Sequence, residues 1–99
     1  MELKLEDGIY NGEVRLNKPE GKGVLKYNNG NVYEGQFASG RPQGNGVLKY
    51  KNGDVYKGAF SFGQPSGHGV YKYANGDVYE GGFNWGKMAG HPGRMRRNG

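Results

Sequence analysis

Asn29-Gly30-Asn31-Val32-Tyr33-Glu34-Gly35-Gln36-Phe37 returns 23 residues later as Asn52-Gly53-Asp54-Val55-Tyr56-Lys57-Gly58-Ala59-Phe60, and again as Asn75-Gly76-Asp77-Val78-Tyr79-Glu80-Gly81-Gly82-Phe83. Ile9-Tyr10-Asn11-Gly12-Glu13-Val14 is an earlier copy, with Val14 in place of the Phe. A second phrase keeps the same period: Gly21-Lys22-Gly23-Val24-Leu25-Lys26-Tyr27, Gly44-Asn45-Gly46-Val47-Leu48-Lys49-Tyr50 and Gly67-His68-Gly69-Val70-Tyr71-Lys72-Tyr73. A fixed period of this kind marks a repeat architecture in which each unit packs mainly on its neighbours. Both phrases are short, rich in Val, Tyr and Phe, and bounded by turn residues, so both read as β-strands; no stretch has helical periodicity.

The spacing predicts the connections. Asn-Gly between a second phrase and the next first phrase is the strongest short hairpin signal, and is expected to form a tight type I′ turn. The other connection, such as Ala38-Ser39-Gly40-Arg41-Pro42-Gln43, reads as a wider turn of about six residues. Alternation along the strands sorts the side chains by face. Tyr33, Gly35 and Phe37 share a face with Gly44, Gly46, Leu48 and Tyr50; Val32, Glu34 and Gln36 share the other with Asn45, Val47 and Lys49. Glycine opposite a large ring leaves room for the ring to lie over the backbone.

The fold expected is all-β: an open single-layer antiparallel sheet of consecutive β-hairpin repeats, elongated and twisted, with about seven or eight strands. It forms a single domain over residues 1–99, in units of about 7–29, 30–52, 53–75 and 76–98. The last unit reads as degenerate. Gly90-His91-Pro92-Gly93-Arg94-Met95-Arg96 keeps the leading glycine but sets proline and arginines where glycine, Leu or Tyr, and Tyr stood before, and residues 94–99 form a basic end. Leu3-Lys4-Leu5 is a candidate leading edge strand.

These motifs resemble the MORN (membrane occupation and recognition nexus) repeat, whose unit is similar to Y-x-G-x-F followed by G-x-G and a Tyr before N-G or D-G. The resemblance covers roughly residues 7 to 93. It implies an elongated sheet of hairpins with a non-enzymatic role as scaffold, dimerisation unit or partner-binding module, and an association of some members with anionic phospholipids. Asp7 departs from the pattern where later units have glycine.

Composition agrees with a thin, soluble fold. Hydrophobic residues make up 33% and mean hydropathy is −0.93, too little for helices layered over a sheet. The chain has no Cys, which removes disulfides, thiolate zinc sites and cysteine nucleophiles, and fits the cytoplasm. No apolar run approaches a membrane span, so any membrane association would be peripheral. Net charge is +5, which permits attraction to phosphate-bearing partners.

Catalytic and metal chemistry find little support. His68 and His91 hold equivalent repeat positions, but such positions lie two strand spacings apart, about 9 to 10 Å, whereas ligands on one zinc ion converge to about 2 Å. Gly81-Gly82-Phe83-Asn84-Trp85-Gly86-Lys87-Met88 mimics P-loop spacing, yet Met88 stands where Ser or Thr must bind magnesium and the segment is a strand entering a hairpin. The serines lie in or beside turns. Asp54 and Asp77 follow turn glycines, and Glu34 and Glu80 alternate with Lys57 as cross-strand partners. No enzyme activity, metal or cofactor is implied.

Three surfaces remain for binding. The rings form rows: Tyr10, Tyr33, Tyr56 and Tyr79; Phe37, Phe60 and Phe83; Tyr27, Tyr50 and Tyr73. A single layer has no second layer to cover them, so a partner or a second copy is expected along that face, besides their role as core. Leu16, Ser39, Phe62 and Trp85 form a ladder at one hairpin end, with Phe62 and Trp85 as candidate anchors. Lys26, Lys49 and Lys72 form a row on the charged face and, with Arg94, Arg96 and Arg97, give the alternative of attachment to anionic phospholipid. Nucleic acid is disfavoured, because rings and lysines fall on opposite faces and one strand cannot use both.

Overall fold

The computed structural model describes residues 1–84 in full and the backbone of residues 87–96. Among the described residues nine strands follow in chain order: β1 (Glu2–Lys4), β2 (Gly8–Arg15), β3 (Lys18–Tyr27), β4 (Val32–Ala38), β5 (Arg41–Lys49), β6 (Val55–Ser61), β7 (Gln64–Lys72), β8 (Val78–Asn84) and β9 (Lys87–Arg96). Each pairs antiparallel with the next in one open sheet, and the molecule measures 45 × 23 × 17 Å. The strand total exceeds the expected seven or eight because Glu2–Lys4 adds a leading strand. Leu3 pairs with Tyr10 there, as Leu25 pairs with Tyr33 and Leu48 with Tyr56.

The turns exchange the roles expected of them. The two-residue loops are Leu16-Asn17, Ser39-Gly40 and Phe62-Gly63, with φ of 52° and 64°, 52° and 86°, and 51° and 82°, which is the type I′ signature. Arg41 and Pro42, expected in a wide turn, belong to β5, where Pro42 pairs with Phe37 and is buried. The Asn-Gly connection is a three-residue loop. Gly30 N–H donates to the Tyr27 carbonyl at 3.1 Å, Gly30 takes φ 99°, and Tyr27 N–H donates to the Asn31 carbonyl at 2.9 Å. That is a type I turn followed by a glycine bulge. The Asn29 side chain selects it by accepting from Asn31 N–H at 2.9 Å, a local bond that a type I′ turn centred on Asn29 would forfeit.

Both rows of turns are tied from unit to unit. Gly40 N–H donates to the Pro19 carbonyl and Gly63 N–H to the Pro42 carbonyl, each at 3.0 Å. Glu20 and Gln43 side chains accept from Ser39 N–H and Phe62 N–H. At the opposite end Asn31 Oδ1 accepts from Lys51 N–H at 2.9 Å, and Asp54 Oδ1 from Ala74 N–H at 2.7 Å.

A lateral row of glycines organises the core. Gly12, Gly23, Gly35, Gly46, Gly58, Gly69, Gly81 and Gly93 pair in succession from β2 to β9. Tyr33 lies across this row: a Cβ on Gly46 would fall 2.3 Å from its hydroxyl oxygen and 2.4 Å from ring carbon Cε1. The hydroxyl donates to the Gln36 carbonyl at 2.7 Å, so burying the ring strands no polar group. Tyr10 and Tyr56 repeat the arrangement on Gly23 and Gly69. Each Phe then stands on edge between two tyrosines. Phe37 lies 4.8 Å from Tyr10 and 5.1 Å from Tyr33, Phe60 lies 4.7 Å from Tyr33 and 5.1 Å from Tyr56, and Phe83 lies 4.7 Å from Tyr56 and 5.4 Å from Tyr79. Edge-to-face contacts at these separations contribute roughly 0.5–1.5 kcal/mol each beyond area burial.

The second strand of each unit carries a bulge opposite the step from Gly35 to Phe37 and its equivalents. Gly44, at φ 96°, supplies a backbone conformation there that L side chains rarely adopt. The Gln36 side chain accepts from Asn45 N–H at 2.8 Å beside the bulge.

The last unit also departs from expectation. Phe83 pairs with Met88, as Phe60 does with Pro65, but Gly81 pairs with Gly93 rather than with residue 92. One extra residue in β9 therefore restores the pattern that a gapless 23-residue alignment hides. Met95 takes the register position of Leu48 and Tyr71, and Arg96 that of Lys49 and Lys72.

Candidate partner-binding site

The rings named from sequence divide sharply by exposure. Tyr33 and Tyr56 are 0% exposed, Phe37 and Phe60 3%, Tyr79 and Phe83 5%. Cover that a second layer supplies in other folds comes here from within the layer, because each Phe closes over the tyrosine of its own unit and that of the unit before it. Burial pushes the hydroxyls of Tyr33 and Tyr56 up to about 12. Tyr50 and Tyr73 are half-buried and keep surface.

Tyr50 and Tyr73 belong to a cluster at the three-residue-loop end of the hairpins. Tyr71 lies 5.5 Å from Tyr50 and 4.8 Å from Tyr73. Its hydroxyl donates to Asp54 Oδ2 at 2.7 Å, and that bond, joined by those from Ala74 N–H and the Asn52 side chain, holds the buried carboxylate below its ordinary range against the opposing effect of burial. Sequence reading passed over Tyr71 as a site residue; the signal was Tyr at the place that Leu25 and Leu48 fill in earlier units.

Phe62 stands at the other end of the hairpins, the length of β6 away, about 20 Å at strand rise. The residues proposed from sequence are therefore split between two rims with the buried ladder between them. Phe62 is 60% exposed at φ 51°, and Leu16, at the equivalent place in the first unit, is 86% exposed at φ 52°. Trp85, their counterpart in the fourth unit, lies outside the described residues.

The opposite face carries a row that is continuous by register across all nine strands: Lys4, Ile9, Lys26, Val32, Lys49, Val55, Lys72, Val78 and Arg96. Cations alternate with β-branched residues, and Lys26, Lys49 and Lys72 are exposed. Arg94 pairs with Glu80 in the neighbouring row, while Arg97 lies outside the described residues. Two adjoining depressions open on this face. One of about 660 Å³ is lined by Lys22, Val24, Glu34, Val47 and Lys49 among others, and one of about 200 Å³ by Val47, Val55, Lys57, Val70 and Lys72. Sequence reading set valines and charged residues together on this face and drew no site from the valines; Val55 lies between Lys49 and Lys72 in the first row, while Val24, Val47 and Val70 share the neighbouring row with Glu34 and Lys57.

His68 Nε2 lies 3.8 Å from Glu80 on the surface, and among the described residues no group of three His, Cys, Asp or Glu is placed to hold a metal ion. A sheet that grows by one hairpin per unit and buries a ladder of Tyr and Phe rings within its single layer defines a repeat module. The chain belongs to the MORN repeat family, whose model matches residues 10–32, 33–55, 56–78 and 79–91 in succession. MORN repeats are generally involved in protein or membrane interactions. No curated protein matches the chain.

Proposed function

We propose that this chain is a non-enzymatic protein interaction module, acting as an adaptor, dimerisation unit or surface-occluding inhibitor in the cytoplasm. The partner, another protein or a second copy, docks on the hairpin tips at Phe62, with Trp85 as a second anchor and Tyr50 and Tyr73 contributing from the far rim. The observation that carries this reading is the placement of Phe62. A left-handed conformation costs a bulky side chain roughly 1–2 kcal/mol, and glycine, asparagine or aspartate would take it more cheaply. Leu16 and Phe62 meet that cost while keeping most of their side-chain surface exposed, which leaves apolar surface at the hairpin tips for a partner to cover.

Phe62→Asn tests this. Its expected result is unchanged stability or a gain of up to about 1 kcal/mol, because Asn suits the type I′ position. Proteins captured from source lysate by the wild type at about 0.5 M salt, where screening removes surface attraction, are expected to be lost by the variant. Retention of the same proteins by a folded Phe62→Asn would refute the anchor role.

A second reading, peripheral attachment to anionic phospholipid, draws support from the exposed row of Lys26, Lys49 and Lys72 and from Arg94 and Arg96 on the last strand. Each basic residue near an anionic surface contributes about 1 kcal/mol.

A further inference from the structure

We propose that the face opposite the rings binds an acidic, extended segment of a protein partner, laid across the strands in the trough formed by the two depressions. This goes beyond the hairpin-tip reading and uses none of its residues, while it gives lysines of the basic face a different occupant. The depressions meet at Val47 and together run from β3 to β7, four strand spacings or about 19 Å. Their floor includes Val24, Val47, Val55 and Val70, all half-buried. Around it stand Lys22, Lys49, Lys57 and Lys72 against Glu34 alone, four cations to one anion. None of these lysines has an ion-pair partner among the described residues, where the one pair is His68 with Glu80.

The pitch of the lysines selects the conformation. Lys49 and Lys72 share a lateral row two strand spacings apart, about 9.6 Å. A polyproline II chain repeats every three residues, about 9.3 Å, so acidic side chains at i and i+3 meet successive lysines while the residues between them rest on the valines. A bilayer surface is too broad to enter the trough and reaches lysine heads only, leaving the valines without a role.

The test is fluorescence anisotropy with a labelled peptide of four Glu-Leu-Pro repeats, titrated with the full chain. Saturable binding is expected, with no binding of the matching Lys-Leu-Pro peptide. The double variant Lys49→Ala/Lys72→Ala is expected to weaken it about tenfold. Val47→Thr, which keeps shape but adds a hydroxyl, is expected to weaken it about fivefold. Val24→Thr gives the same readout should Val47→Thr melt below the assay temperature. Absence of saturable binding, or equal affinity in the wild type and the folded valine variants, overturns the proposal. So does equal or tighter binding to vesicles containing about 20 mol% phosphatidylserine that ignores Val47→Thr, which returns the lysines to a membrane role.

Discussion

Gly46→Ala is expected to lower stability by about 3 kcal/mol, the upper part of the range for forcing extra atoms into a packed core. Ordinary propensity argues the other way, since replacing a strand glycine with alanine normally gains about 0.5–1 kcal/mol. Geometry decides between them. The new methyl would stand 2.3 to 2.5 Å from three atoms of the Tyr33 ring and hydroxyl. The ring has nowhere to withdraw: it is 0% exposed, its hydroxyl is bonded to the Gln36 carbonyl, and Phe37 and Phe60 pack against it. For a domain of this size the loss corresponds to a fall in Tm of about 12 °C or more, read by a circular dichroism melt. An unchanged or raised Tm would mean that Tyr33 does not lie over the glycine row.

Phe60→Ala is expected to cost about 4 kcal/mol, within the range for removing a fully buried phenylalanine. The ring is 3% exposed and joins the third unit to the second, 4.7 Å from Tyr33 and 5.1 Å from Tyr56. Its loss opens a cavity and severs both ring contacts. Because a small domain holds only about 5–15 kcal/mol in total, urea unfolding should move to markedly lower midpoint. Phe62→Ala, two residues along and 60% exposed, is expected to change stability by no more than about 0.5 kcal/mol. Similar losses from the two variants would contradict the division between an inner ladder and an outer rim.

Much of this architecture was legible before any coordinates. The recurrence of Val32-Tyr33-Glu34-Gly35-Gln36-Phe37 specified hairpin units, and alternation put Tyr33 and Phe37 on one face and Val32 and Glu34 on the other. Alternation says which face a ring takes, but not whether it lies flat or stands, and that difference decides exposure. Tyr33 lies flat on Gly46 and Phe60 covers it from the next unit, so the layer closes over its own rings where an uncovered face was expected. The Asn29-Gly30 signal was read one position too late, because the turn is centred on Asn28-Asn29, the Asn29 side chain bonds Asn31 N–H, and Gly30 forms a bulge. The last strand looked degenerate because one extra residue displaces Gly93 and Met95 from a strict period. Of the candidate site, Phe62 was legible as an apolar residue in a polar turn. The valine trough was not, since its floor is made by rows that cross strands and only pairing register aligns them.

The central claim, that this single-layer sheet buries its own tyrosine rings and leaves binding to its rims and its opposite face, is tested most directly by an alkaline spectrophotometric titration of the native protein. Tyr33 and Tyr56 have hydroxyls raised to about 12 by burial, against an ordinary value of 10.0. A raised folded value means stability that is fully present below pH 10 and lost as pH rises toward 12. The account predicts that part of the tyrosine absorbance change is withheld near pH 10 and appears only with unfolding, near pH 12. A single reversible step near pH 10 covering all eight tyrosines, with the strand signal intact, would contradict it.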